Sequence, residues 1–163
     1  MSLIEVINSA ALNARKAAMK EQNPAVKAEC KTIAELVVGI QGDIKAIQKG
    51  ATKEGKMPEV DDEMCMRALR SALKGQEETL RIIEEAGQSD RVLEVKTKIE
   101  LIKSLMPEAA SEEDVRAAVQ DILEANGLSK GVMGVIMKEL NTKFGTSLDR
   151  GMASRIAKEM TTS

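Results

Sequence analysis

Residues 30–47 read CKTIAELVVGIQGDIKAI, and this stretch decides the fold class of the chain. Apolar side chains recur in it at alternating steps of three and four, at Cys30, Ile33, Val37, Ile40, Ile44 and Ile47. Such steps place side chains on one face of an α-helix, whereas a strand would alternate by twos. The same rhythm is the seam spacing of helices that pack at shallow angles. The stretch therefore predicts a helix that packs lengthwise against other helices.

The same periodicity continues on both sides of this stretch. Before the Asn23-Pro24 break it is found at Ile4, Ile7, Ala11, Ala14 and Ala18. Residues 50–58, GATKEGKMP, interrupt it with two glycines, three charges and a proline, which predicts a mobile loop. Residues 61–63 are all acidic and open the next helix, because a helix N-terminus favours such caps and negative charge.

A short turn divides the following region into two helices. The turn ends at Ser89 or Asp90, one of which is the expected cap of the second helix. Two helices joined by so short a turn must run antiparallel. Pro107 then ends this region of long helices.

Shorter helices follow Pro107. Ser111 is expected to cap the first of them, and Gly127 to close it in the usual C-terminal position. Ser129 is expected to start the second helix. The polar stretch 141–147 then leads to the last helix. The pattern thus predicts three short helices after the four longer ones.

The composition supports helices throughout. Hydrophobic residues make up 43% of the 163-residue chain, with one Phe and neither Trp nor Tyr, so aliphatic side chains and Met fill the core. Ala, Leu and Met are also good helix formers. We therefore predict an all-α fold, with an N-terminal long-helix hairpin or bundle over residues 1–106 and a small C-terminal three-helix domain over residues 107–163.

Residues that could perform chemistry are few. The chain contains no histidine, the commonest general base and metal ligand. Cys30 lies on the apolar stripe and is interpreted as a buried core residue, and Cys65, beside acidic residues, as a structural or neutral surface residue. The acidic runs 61–63 and 112–114 are interpreted as helix caps rather than metal sites. We expect no catalytic residue, no cofactor, no metal site and no small-molecule substrate.

The sequence also predicts a location in the cell. The start, MSLIE, has no cationic segment followed by an apolar one, so we expect no signal peptide. No apolar run approaches the roughly 20 residues of a membrane span. Two cysteines suit a reducing compartment. We predict a cytoplasmic protein without a membrane partner.

Charge points to one candidate surface. The net charge of −2 argues against a strongly cationic nucleic-acid binder but not against a local basic face. Residues 105–127 carry one basic and six acidic side chains, whereas residues 128–163 carry six basic and three acidic ones. The candidate nucleic-acid-binding residues are Lys130, Lys138, Lys143, Phe144, Arg150, Arg155 and Lys158. The cations either contact phosphates or form an ordinary solvated surface, and Phe144, in the predicted loop, either stacks on a base or fills the small core.

Ordered motifs near the end of the chain resemble a known family. They are the run from Leu105 to Glu108 followed by the Ser-Glu-Glu at 111–113, the Gly-Val-Met-Gly at 131–134, and the last helical stretch from Asp149 to Met160. Upstream, the charged region from Arg70 to Glu108 is similar to the family's helical hairpin in length and register. The chain resembles the GatB/YqeY family over nearly its whole length, although Lys31 stands where an arginine is expected.

The resemblance implies a role near tRNA. The family comprises free-standing YqeY-like proteins and the tail of the B subunit of a tRNA-dependent amidotransferase, in which the helical tail helps hold tRNA while other domains perform the chemistry. A free-standing member looks like this tail without the enzyme. The resemblance thus implies an amide-transfer context, but no catalysis by this chain alone.

Three functional hypotheses follow. The first is a noncatalytic adaptor that contacts tRNA, or a tRNA-handling enzyme, through residues 128–163. The second is a helical protein-interaction module whose N-terminal helices dock a protein partner. The third is an accessory subunit that supports amide transfer, with glutamine as amido donor, in trans.

Overall fold

The computed structural model describes residues 2–162, and the predicted all-α class is confirmed over that range. Its seven α-helices are α1 (Leu3–Lys20), α2 (Pro24–Gly50), α3 (Asp62–Glu85), α4 (Ser89–Leu105), α5 (Glu112–Asn126), α6 (Val132–Phe144) and α7 (Arg150–Thr162). A 3-10 turn, Gly145–Ser147, follows α6. No helix in residues 2–162 is long and apolar enough to cross a membrane.

Side-chain caps set where several helices begin. The Asn23 carboxamide oxygen accepts a hydrogen bond from the Ala25 amide at 3.0 Å, directly before α2. Asp61 Oδ1 accepts from the Met64 amide at 2.8 Å, and Ser111 Oγ accepts from the Asp114 amide at 3.1 Å. These bonds satisfy amides that have no partner inside the helix. The prediction that both acidic runs belong to helix N-termini is thereby confirmed.

Three predicted helix boundaries are wrong. The residue before α4 is Gln88, so Ser89 is the first helical residue and neither Ser89 nor Asp90 is the cap. α6 begins at Val132 instead of Ser129, because Gly131, with φ of +95°, turns the chain into the helix. Phe144 is the last residue of α6 rather than a loop residue. Burial of its ring against the core extends the helix through a polar stretch.

The chain divides into two compact units between Met106 and Pro107. The main core of the N-terminal unit forms where the first half of α1, the second half of α2, the start of α3 and the end of α4 meet. Its buried residues are Leu3, Ile7, Ala11, Val37, Ile40, Ile44, Cys65, Met66, Ala68, Leu69, Ile102 and Leu105. The predicted stripe of residues 30–47 thus contributes its C-terminal half to this core.

A separate apolar cluster lies at the other end of the N-terminal unit. It consists of Ile83 from α3 with Val95 and Ile99 from α4, and Leu80 and Val92 pack against it. Over their whole lengths α1 packs mainly on α2 and α3 packs mainly on α4, while α2 and α4 make few contacts. We call these two pairs the α1–α2 arm and the α3–α4 arm.

Of the two cysteines, Cys30 differs from its predicted environment, whereas Cys65 fits the structural one of its two interpretations. Cys30 is half-buried and lies outside the main core, because the N-terminal half of α2 belongs to an arm. Cys65 is fully buried in the main core and is therefore not a surface residue. Burial, followed by the nearby carboxylates of Asp62 and Asp61, raises the pKa of the Cys65 thiol to about 11.

The C-terminal unit is built from α5, α6 and α7, each packed on the other two. Their single core contains Val115, Ala118, Val119, Ile122, Val132, Ile136, Leu140, Leu148, Ala153, Ile156 and Ala157. The Ala110 amide donates a hydrogen bond to the Ser147 carbonyl at 3.0 Å, which ties the segment before α5 to the 3-10 turn. Gly127, with φ of +69°, ends α5 as predicted.

Candidate nucleic-acid interface

The seven predicted interface residues are spread over the C-terminal unit. The six cations are exposed, and Phe144 is half-buried. The turn before α6 carries Lys130, α6 carries Lys138, Lys143 and Phe144, and α7 carries Arg150, Arg155 and Lys158. These residues can form one binding surface only if they lie on helix faces that point in the same direction.

The cations of α7 do not lie on one face. Successive residues of an α-helix are rotated by about 100°. Arg155 and Lys158 are three residues apart and share a face, whereas Arg150 is rotated from Arg155 by about 140°. The sequence count of basic residues therefore overstates how many act together on this helix.

Arg155 is engaged in a network of ion pairs with α5. Arg155 Nη2 lies 3.0 Å from Glu112 Oε2, and Arg116 Nη2 lies 3.1 Å from Glu112 Oε1 and 3.2 Å from Glu159 Oε2. The Arg116 hydrogen bond and the Arg155 charge hold the pKa of Glu112 below its usual value. The network joins α5 to α7, which gives Arg155 a role inside the unit.

Lys143 and Phe144, two neighbouring predicted interface residues, contact each other. Lys143 Nζ lies 5.7 Å from the centroid of the Phe144 ring, within the range of a cation–π interaction. The Phe144 ring also packs against the core of the unit, as one of its two interpretations predicts. Lys143 borders a cleft of about 370 Å³ between α5 and α6, beside Asp121 and Glu139. Those carboxylates reduce the positive potential around it.

The fold places acidic residues against basic ones. Helix α5 belongs to the acidic stretch 105–127 and packs on both α6 and α7. From Pro107 to the end, the chain carries seven basic and nine acidic side chains, a net charge of −2. The net positive charge of residues 128–163 is therefore offset by the acidic residues of the same unit. Positive charge remains only in local patches of the surface.

One such patch, which we call the α6 outer face, consists of Gly134 and Lys138 on the exposed side of α6 and of Lys130 and Gly131 in the turn before it. Gly134 and Lys138 each stand two residues from the buried Ile136, on the opposite side of the helix. Within residues 2–162, Lys130 and Lys138 form no side-chain ion pair.

Gly134 has no packing role inside the unit. A Cβ atom at this position would meet nothing within 4 Å. A glycine inside a helix costs about 1 kcal/mol relative to alanine. Nothing in the C-terminal unit offsets that cost, so the exposed backbone at Gly134 suits a close approach from outside. In the sequence, the motif at 131–134 indicated only the family resemblance, and the exposure of its glycines is apparent only in the structure.

The structure offers no metal-binding cluster in the range it describes. Within residues 2–162, no group of three or more His, Cys, Asp or Glu side chains is placed to hold an ion. In the same range, every buried side-chain nitrogen or oxygen has a hydrogen-bond partner. In the two acidic runs, Asp61 caps α3 and Glu112 forms ion pairs with Arg116 and Arg155, as described above.

Comparison with known sequences identifies the family. The family described as Yqey-like protein matches residues 10–161, from α1 to α7. Comparison with curated proteins gives no match. The match spans both compact units and contains α2 to α6 completely, whereas α1 begins and α7 ends just outside it. The chain therefore belongs to the YqeY-like protein family.

Proposed function

We propose that this protein is a noncatalytic cytosolic adaptor that contacts tRNA, or a tRNA-handling enzyme, through its C-terminal unit. The family resemblance supports a tRNA context, since the related amidotransferase tail helps hold tRNA. The single observation that carries the proposal is the α6 outer face, where two unpaired lysines flank an exposed helix backbone.

The chemistry of this face matches a phosphate backbone. Lys130 and Lys138 can neutralise phosphates, and Gly131 and Gly134 leave room for the sugar-phosphate chain to approach the helix. Lys158, also exposed and without an ion pair in residues 2–162, adds a further cation on α7. Roughly three phosphate contacts predict a modest affinity, with a salt slope near −2 on logarithmic axes.

The experiment measures tRNA binding at low salt for the wild type and three variants. We expect Lys130→Ala with Lys138→Ala to weaken binding by about tenfold, because it removes about two phosphate contacts. The control, Lys16→Ala with Lys20→Ala, removes two exposed lysines of α1 and should leave the affinity within about twofold of the wild type.

The third variant, Gly134→Ala, separates binding from folding. Its added methyl group should weaken tRNA binding while it raises the free energy of unfolding by up to about 1 kcal/mol. Equal binding by the wild type and the Lys130/Lys138 variant, or no binding by either, would refute the proposal.

A triple variant tests the cations outside the α6 outer face. Substituting Ala for Lys143, Arg150 and Arg155 should weaken tRNA binding less than the Lys130/Lys138 pair, because Arg155 is held by Glu112 and Lys143 lies beside carboxylates. A larger loss of tRNA affinity in the triple variant would show that the tRNA contact uses these three residues rather than the α6 outer face.

A further inference from the structure

An open cleft separates the two arms of the N-terminal unit. It lies between the N-terminal half of α2 and the N-terminal half of α4, and it encloses about 350 Å³. The main core joins the helices at the other end of the unit, while each arm holds itself together by its own pair of helices. The cleft is therefore a consequence of how the arms diverge.

The lining of the cleft includes apolar side chains that no other helix of this unit covers. Ile33 of α2 is half-buried there, and Ala28, five residues before it, is exposed. Leu93 of α4 is 74% exposed, although leucine is among the residues most often buried in proteins. A partner that covered Leu93 would remove a large apolar surface from water, which stabilises a complex.

Acidic side chains border the apolar lining. Glu29 from α2 and Asp90 and Glu94 from α4 contribute three carboxylates, against the single ammonium of Lys98. Lys98 Nζ lies 2.9 Å from Glu94 Oε1, so it neutralises one of the three. Neither Glu29 nor Asp90 has an ion-pair partner within residues 2–162. The lining as a whole carries a net charge of −2.

The nearest lysines of α2 point away from the cleft. Lys27 and Lys31 are each two residues from Glu29, which places them on the opposite side of the helix. Lys98, and to a lesser extent Arg91 outside the lining, lower the pKa of Glu94. Glu29 and Asp90 are therefore the carboxylates of the lining that remain available to a basic partner.

We propose that this cleft binds a cationic amphipathic helix of a protein partner, with its apolar face on Ile33 and Leu93 and its basic residues beside Glu29 and Asp90. A third helix laid between two diverging helices can pack on both at the usual interaxial distance of about 8–10 Å. The carboxylates select a basic helix over an acidic one and repel nucleic acid. This site goes beyond the proposed tRNA contact and uses different residues.

The experiment titrates the full-length protein with a labelled peptide of about 18 residues, five helical turns, made of Leu at helical spacing and Lys elsewhere. Two control peptides are used: one of the same composition with Leu and Lys alternating by twos, and one with Glu in place of Lys. We expect binding of the first peptide only, since the others lack either the apolar face or the positive charge.

Protein variants test whether binding occurs in the cleft. Glu29→Lys with Asp90→Lys should weaken binding by about tenfold or more, because two attractive charges become repulsive. The control Glu35→Lys with Glu77→Lys changes the net charge equally at exposed positions outside the lining, and should have an effect of less than about threefold. Leu93→Ala should weaken binding about fivefold, whereas Leu12→Ala, at another exposed leucine, should not.

Each other outcome overturns the inference. Equal weakening by the two charge-reversed variants would show attraction to net charge alone, and equal binding of the alternating peptide would show that no helix is selected. Self-association that Leu93→Ala abolishes, measured by sedimentation, would assign the cleft to a second copy of this chain. None of these results depends on whether tRNA binds to the C-terminal unit.

Discussion

The two compact units bury their apolar side chains in different ways. In the C-terminal unit, residues from α5, α6 and α7 converge on one cluster, which also includes Leu148, the residue after the 3-10 turn. In the N-terminal unit, the main core lies at one end, and the cluster around Ile83 stands apart within the α3–α4 arm. Three short helices thus form one integrated core, whereas four long helices leave their ends free to form arms.

This difference indicates where each unit can interact. A segment with few buried contacts opens at a lower free energy than a core segment does. The arms of the N-terminal unit should therefore adapt to a partner more easily than α5, α6 and α7 can. In the C-terminal unit, binding must use side chains on fixed helix faces, such as Lys138 on α6.

The largest expected effect tests the single core of the C-terminal unit. Leu140 is fully buried, and Leu140→Ala should lower the free energy of unfolding of this unit by about 2–5 kcal/mol through lost burial and a residual cavity. Leu128→Ala makes the same chemical change at a side chain that is 67% exposed and should stay within about 0.5 kcal/mol. Amide hydrogen exchange of residues 107–162 measures both, and equal effects would contradict the integrated core.

A second prediction uses the two cysteines of the N-terminal unit. Cys65 lies in the main core, and Cys30 lies in the α1–α2 arm. Because the pKa of Cys65 is raised from about 9 to about 11, the unfolded state loses its thiol proton before the folded state does. The contribution of the buried Cys65 thiol to folding stability is therefore present below pH 9 and is lost as the pH rises towards 11. Over this range the free energy of unfolding falls by up to about 1.4 kcal/mol per pH unit.

Urea denaturation between pH 8 and pH 11 measures this slope. Cys65→Ala should lose stability less steeply with pH than the wild type does, whereas Cys30→Ala, at the half-buried position in the arm, should follow the wild type. Parallel curves for the wild type and Cys65→Ala would show that the thiol of Cys65 is not buried in solution.

The smallest expected effect concerns the ion pairs between α5 and α7. The pKa of Glu112 should rise towards its ordinary value in Arg116→Gln, and by less in Arg155→Gln, because the Arg116 hydrogen bond is the larger cause of its lowering. At pH values above the ordinary pKa of a glutamate, the ion pairs of Glu112 stabilise the folded state. This contribution is lost as the pH falls through the lowered pKa of Glu112. Exposed pairs of this kind add little to stability.

Carboxyl NMR titration of Glu112 measures this shift. Arg15→Gln, which removes an exposed cation from α1, serves as the control and should leave the titration of Glu112 unchanged. If the titration also stays unchanged in Arg116→Gln, the network does not persist in solution, and Arg155 is free to contribute to a nucleic-acid interface.

Local signals in the sequence were enough to predict the helices and several of their ends. The spacing of residues 30–47 predicts a helix, and Asp61, Ser111 and Gly127 lie at helix ends because capping involves only neighbours in sequence. Periodicity also shows which face of a helix is apolar. It does not show how far along that face the other helices pack. The main core covers only the C-terminal half of the α2 stripe, so Cys30, in the N-terminal half, is only half-buried.

Long-range contacts account for what the sequence did not predict. Arg155 and Glu112 are 43 positions apart, so their pairing depends on how α7 packs on α5. The start of α6 at Val132 depends on the backbone of Gly131, and its extension to Phe144 depends on the core. The α6 outer face and the cleft both arise from packing, and a count of charges along the chain cannot locate either of them.

Phe144 has a spectroscopic consequence, because it is the only aromatic residue in the chain. Its ring protons give the only aromatic side-chain resonances of the protein, without overlap from Tyr, Trp or His. With Lys143 Nζ 5.7 Å from the ring centroid, and with the ring against the core of the C-terminal unit, these resonances respond to charge and packing there. The chain also absorbs almost no light at the wavelengths where nucleic acids absorb strongly. The ring is therefore a built-in reporter of events at the end of α6, and the absorbance of a bound RNA can be followed directly.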